Sequence, residues 1–257
     1  MSRTPHLLVT LAAALAATAA CGDDSTPVAG AASEGPSASF AAPRDGDRVA
    51  GAVDVVMAAE GIEIVPAGEV APGQGHFHVI ADEGCLSPGT AIAKDADHVH
   101  FGTGASTGTI YLDPGTHSLC LQVGDGAHVA LAVTDTIRIE VGIGSREEFC
   151  DVFADTDSLM AAAEASTDAW SARQPAFENA RRLLAQLSAG LAHVDADVRD
   201  EVGELVHWAT VIVETMASSE SEEAAAEQLW GPDPILPTDV DLSGGERWVL
   251  DTCGVSL

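Results

Sequence analysis

Between about Phe40 and Val141 the apolar residues fall in short runs, several of them alternating with polar ones. Val53-Asp54-Val55-Val56-Met57, His76-Phe77-His78-Val79-Ile80, His98-Val99-His100-Phe101, Thr109-Ile110-Tyr111-Leu112, Ser118-Leu119-Cys120-Leu121-Gln122-Val123 and Thr136-Ile137-Arg138-Ile139-Glu140-Val141 are the main ones. Successive side chains of a strand point to opposite faces, so such alternation lines one face with apolar groups. Asp45-Gly46, Pro72-Gly73, Pro88-Gly89, Asp113-Pro114-Gly115 and Gly124-Asp125-Gly126 separate the runs. Each reverses the chain readily, because glycine tolerates positive φ and proline has φ fixed. About seven short strands with this spacing predict an all-β, immunoglobulin-like sandwich over residues 39–142. The tryptophan that marks many such sandwiches is absent from this stretch.

From residue 143 the period lengthens. Ser145-Arg146-Glu147-Glu148 has the form of a helix capping box. Phe177, Ala180, Leu184, Leu187 and Leu191 recur at three- and four-residue spacing after Pro175, a residue suited to the start of a helix. Val198, Val202, Leu205, Ala209, Ile212 and Met216 repeat the pattern. Ser219 to Trp230 reads as a shorter acidic helix, and Ser243-Gly244-Gly245-Glu246 as a second capping box opening a last helix that stops at Gly254. Residues 143–257 are therefore predicted to form a small α-helical bundle.

The N-terminus reads as an address. Arg3 precedes an apolar run from Leu7 to Ala17, shorter than the roughly 20 residues a spanning helix needs. It ends in Thr18-Ala19-Ala20-Cys21, which resembles the lipobox of bacterial lipoproteins. Residues 1–20 are expected to be a signal peptide of that type, and Cys21 the lipidated residue of the cleaved chain. Residues 21–38, rich in Ala, Gly, Ser, Pro and Asp, are expected to be a disordered tether. This reading places the protein on the extracytoplasmic face of a membrane, in the cell envelope. A formal net charge of −29 and a single lysine, Lys94, exclude nucleic acid as a partner. High alanine and arginine in place of lysine are the composition of a high-GC genome such as an actinobacterium's.

With Cys21 lipidated, Cys85, Cys120, Cys150 and Cys253 remain, in a compartment where disulfides persist. Four cysteines allow three pairings; the domain division favours Cys85–Cys120 and Cys150–Cys253. No Cys-x-x-Cys occurs, so neither a dithiol redox motif nor a thiolate zinc site is suggested. There is no Gly-x-Ser-x-Gly elbow and no phosphate loop.

Six of the nine histidines lie between His76 and His128, among them the pairs His76/His78 and His98/His100. Residues two apart in a strand share a face, so adjacent strands would bring up to four imidazoles together. Imidazole suits Cu(II) and Zn(II). His76, His78, His98, His100 and His128 are thus the candidate ligands of a Cu or Zn site, with affinity falling as pH drops through the ordinary histidine pKa of about 6.5. The alternative is that Phe77, Val79, Val99 and Phe101 form the core face and leave the histidines in solvent. His117 shares a strand face with Leu119, Leu121 and Val123 and reads as a core residue; His193 and His207 read as helix-surface or edge residues.

Four segments resemble a known family. They are Gly75-His76-Phe77-His78 with the following Val-Ile-Ala-Asp, His98-Val99-His100-Phe101-Gly102-Thr103-Gly104, Leu112 to Leu119, and Gly124-Asp125-Gly126-Ala127-His128. In order and content they are similar to the domain-of-unknown-function 4399 family over about Phe40 to Val141. Where the family usually continues Gly-Gln-Thr-Glu after the Phe-Gly step, this chain has Gly104-Ala105-Ser106-Thr107. The resemblance supports the domain boundary and the choice of histidines. The sequence thus describes a non-enzymatic envelope lipoprotein that binds a metal or small ligand through a histidine-rich β face, or else a structural lipoprotein whose helical bundle meets an envelope protein partner.

Overall fold

The structure, a computed structural model, describes residues 35–236 and 242–255. The lipobox, Cys21 and nearly all of the proposed tether lie outside them. Within the described residues the N-terminal part forms two β-sheets and the C-terminal part five α-helices.

The smaller sheet has the order β1 (Ser37–Ala42), β3 (Val53–Glu60), β7 (Thr107–Ile110). β1 begins at Ser37, inside the stretch read as tether. The larger sheet runs β2 (Arg48–Val49), β9 (Ala130–Val141), β8 (Gly115–Gly124), β5 (Gln74–Ala81), β4 (Glu63–Ile64). β6 (His98–His100) pairs with β5 antiparallel, setting His78 opposite His100 and Ile80 opposite His98. Val53, Val55 and Met57 of β3, Phe77 and Val79 of β5, and Leu119, Leu121 and Val123 of β8 share one buried cluster. This is the alternation that the sequence predicted.

The other face of β5 and β8 carries His76, His78, Ile80, Cys120, Gln122 and Gly124, and it is covered too. Residues 82–97 cross it as a strap. The Cys85–Cys120 disulfide ties one end down. Gln122 accepts from Leu86 N and donates to Leu86 O, both at 2.9 Å. Further on, Gly89 N donates to Ala130 O and Ile92 N to the carbonyl of His128. Covered on both sides, β5 is buried along nearly its whole length, as central strands are when both faces are packed.

The helices are α1 (Arg146–Ala165), α2 (Trp170–Gly190), α3 (Arg199–Ser218), α4 (Glu222–Trp230) and α5 (Ser243–Cys253). Ser145 caps α1, accepting from Glu148 N, while the Glu148 carboxylate accepts from Gly144 N at 2.6 Å. The predicted stripes of α2 and α3 meet in one core with Phe149, Phe153, Leu229 and Trp248. Two sequence expectations need correction. α2 begins at Trp170, so Pro175 lies inside it; one missing N–H near the helix start is offset by packing of Trp170 on Phe177, with ring centroids 5.2 Å apart. α5 has Leu242 at its cap position, without a side-chain cap bond. Its end is as expected, at Gly254 with φ +72°. Cys150 and Cys253 are bonded, closing the bundle.

The described residues form one compact unit. Sheet and helix halves meet at a buried polar seam on α2. The side-chain amide of Gln186, fully buried, accepts from Gly51 N and donates to Gly51 O and Leu112 O. Arg182, also buried, donates to Tyr111 O at 2.7 Å and to Asp97 at 2.8 Å.

Candidate functional site

Four imidazoles converge on the strap-covered face of the larger sheet. His76 and His78 come from β5, His100 from β6, and His128 from the turn between β8 and β9. Their ring centroids lie 4.5–5.8 Å apart. The Nε2 atoms of His76 and His78 are 2.9 Å apart, and those of His100 and His128 are 3.0 Å apart. His76 and His78 are fully buried; His100 and His128 are partly exposed and form the outer side of the group.

Backbone shape makes room for the rings. A methyl group on Gly102 would fall 2.0 Å from Cε1 and 2.3 Å from Nε2 of His100. One on Gly124 would fall 2.9 Å from Nε2 of His78. Glycine at these two points lets the imidazoles approach the chain closely. His128 has φ +64°, a conformation uncommon for a residue with a side chain.

The cluster is neutral around pH 7 as far as its buried pair is concerned. Burial, then the neighbouring His100 and His128, lowers the pKa of His76 from 6.5 to about 4, with Asp125 opposing slightly. Burial, then His76 and the other rings, lowers that of His78 to about 3. The pKa of His100 is also lowered, by burial, by His128 and by Lys94. Neutral imidazole is the form that donates a lone pair to a metal.

The Nδ1 atoms of His76 and His78 are buried and make no hydrogen bond among the described residues. Buried polar atoms are ordinarily paired. Their Nε2 atoms face each other at 2.9 Å. His76, His100 and His128 each present a ligand atom within 4.8 Å of the others. Metal–nitrogen bonds of 2.0–2.1 Å set tetrahedral nitrogens about 3.3 Å apart. Small ring movements would therefore bring the group to a metal-binding geometry.

His98 is not part of this group. It is on the same sheet face, but its Nδ1 lies 2.8 Å from Asp95 and its Nε2 3.6 Å from Glu83. Two strap carboxylates thus hold the ring from both sides. His117 is buried as expected, with Nδ1 2.7 Å from Asp82 and Nε2 2.7 Å from the carbonyl of Asp113. His207 is exposed on α3 and His193 lies in the turn after α2. Gly102 and Asp125 stand inside the motifs singled out in the sequence, but their roles depend on where the rings go.

Residues 55–142 match the family described as Domain of unknown function (DUF4399). The matched stretch includes all four converging histidines, so the resemblance read from the sequence holds over the site. No curated protein matches the chain. Among solved structures, the endo-β-1,4-mannanase from Thermotoga petrophila is similar at 17% identity and a TM-score of 0.29. That similarity covers 45% of this chain and 22% of the mannanase, so the chain spans under a quarter of the enzyme's length. At this score the likeness says nothing about fold or activity here.

Proposed function

We propose that this chain is an extracytoplasmic binding module, lipid-anchored through Cys21, that holds one Cu(II) or Zn(II) ion between His76, His100 and His128, with His78 as the fourth imidazole. The reading rests on one observation above the rest. Four imidazoles from three separate segments meet with no carboxylate among them, and two are buried with unpaired nitrogens. An all-imidazole donor set suits Zn(II) and Cu(II) and is poor for the hard cations Ca(II) and Mg(II). The partly exposed His100 and His128 would be the entry side. The two facing sheets serve as an immunoglobulin-like sandwich scaffold in this reading. Two disulfides agree with an oxidising compartment. The lipobox supplies the anchor and the long polar segment after it the tether.

Calorimetry and elemental analysis on the purified chain test the site. One equivalent of Zn(II) or Cu(II) is expected at neutral pH, lost in the double variant His100→Ala, His128→Ala and kept in His98→Ala and His207→Ala. Capture by the acidic surface would instead be weak, multi-site, salt-sensitive and unaffected by the histidine changes. If the wild type takes up no stoichiometric metal, the metal reading is lost. The protein would then be better regarded as an interaction lipoprotein whose bundle meets an envelope partner. Fatty-acid labelling that persists in Cys21→Ser would remove the anchor.

A further inference from the structure

We infer that Asp125 is the positioning residue of the metal site: it makes His128 a ligand by holding it in a left-handed backbone conformation. The inference rests on the metal reading above and adds a residue that is not itself a ligand. The turn between β8 and β9 must reverse the chain from Gly124 to Ala130. At its fourth residue φ is +64°, where glycine or asparagine is the default. A histidine there is disfavoured by its own Cβ. Its presence is explained by what the ring reaches: Nε2 of His128 is 3.0 Å from Nε2 of His100, and its centroid is 4.9 Å from that of His76.

Something must over-determine that backbone, and Asp125 does so. Its Oδ1 accepts from Ala127 N and from Val129 N, each at 2.9 Å, bracketing His128 on both sides. Its own N–H donates to Val129 O and its carbonyl accepts from His128 N, again at 2.9 Å. From the opposite direction Ile92 N of the strap donates to His128 O at 2.8 Å. The backbone groups around the strained residue are thus tied on both sides. The Asp125 carboxylate is directed at amides of the turn and is absent from the ligand group. It can influence metal only through His128 or through its charge, and the two routes separate experimentally. Asparagine keeps an Oδ1 that accepts both N–H groups and removes the charge; alanine removes both.

The test uses the mature chain, with Zn(II) calorimetry for affinity and the visible spectrum of the Co(II)-loaded protein for ligand geometry. Asp125→Ala should bind Zn(II) more weakly by about 10-fold or more, the range typical when support of a ligand is lost. Its Co(II) band should lose intensity as a nitrogen is lost. Asp125→Asn should recover both to near wild-type values. His128→Gly should lose metal binding while its thermal midpoint stays level or rises, since glycine relieves the strain. A merely structural Asp125 would lower the midpoint and leave the Co(II) spectrum of the folded fraction unchanged. That result overturns the inference, as does an Asp125→Asn protein as weak as Asp125→Ala, which would make the effect one of charge. If Asp125→Ala does not fold, His128→Gly and Asp125→Asn still decide: metal binding retained by the first, or lost by the second, overturns it. A wild type that binds no Zn(II) fails earlier and removes the metal reading itself.

Discussion

At the scale of single residues, the cost of the site is that two imidazoles are kept neutral in a place that water cannot reach. Folded His76 and His78 have pKa values of about 4 and about 3 against 6.5 for the free side chain. The unfolded chain therefore takes up protons below pH 6.5 that the folded chain refuses. Stability from these groups is complete above about pH 6.5 and is lost as pH falls toward 4 and then 3. Each histidine costs about 1.4 kcal/mol per pH unit in that window, so roughly 4 kcal/mol is lost by pH 5 for the two. Urea midpoints of the metal-free protein should fall steeply between pH 7 and 5, and less steeply in His76→Gln, His78→Gln. Equal slopes in both proteins would mean that the pair is not held neutral. In the proposed metal site, the same burial would keep the lone pairs of His76 and His78 available below pH 6.5. The convergence itself was legible, because two His-x-His pairs in a strand pattern can face one another. That His98 leaves the group was not, since Asp95 and Glu83 capture it only once the strap has its course.

Among the elements, the strap of residues 82–97 turns a sheet face into an enclosed site. It contains Pro88, Gly89, Thr90 and several acidic residues, and by composition reads only as loop. Its burial of the face depends on contacts from distant parts of the chain: the disulfide to Cys120, the amide pair with Gln122 and the bonds to Ala130 and His128. The Cys85–Cys120 bond spans a sequence separation of 35, and closing a loop of that size stabilises by about 3–4 kcal/mol in the chain-entropy view. Cys85→Ser with Cys120→Ser should thus lower stability by about 2–4 kcal/mol. Hydrogen exchange should speed up first at Gly89, Ile92 and Ala130, whose amides the strap protects. Uniform loss of protection across both sheets would show that the strap has no separate stability. The longer strands were readable from alternation, and α3 from its stripe. The two-residue parallel strands β2 and β4 were not, because so short a segment carries no period. Pro175 misled because a proline is usual in a first turn and here lies in the second, where the aromatic packing of Trp170 extends the helix backward.

For the whole molecule, what matters is whether sheet half and helix half stand or fall together. The change of period near residue 143 reads as a domain boundary. Gln186 and Arg182 lie on a helix where polar residues would be assigned to solvent, yet both are buried against the sheets. Gln186 is the clearest case. Its one side chain satisfies Gly51 N, Gly51 O and Leu112 O, three backbone groups from the segments before β3 and after β7. Nothing else on α2 could replace all three bonds after truncation. Gln186→Ala leaves those groups buried and unpaired, at about 1–3 kcal/mol each if no water enters, so a loss of roughly 3 kcal/mol or more is expected. The seam also makes unfolding of one half expose polar groups of the other, so the two should lose structure at one denaturant concentration. Pulsed hydrogen exchange along a urea titration reads both halves in one experiment. Peptides from 53–141 and from 146–236 should lose protection together in the wild type, and together at lower urea in Gln186→Ala. Should the helical peptides open well before the sheet peptides in the wild type, the seam is a weak contact between independent domains, and the helical half contributes nothing to the stability of the histidine site.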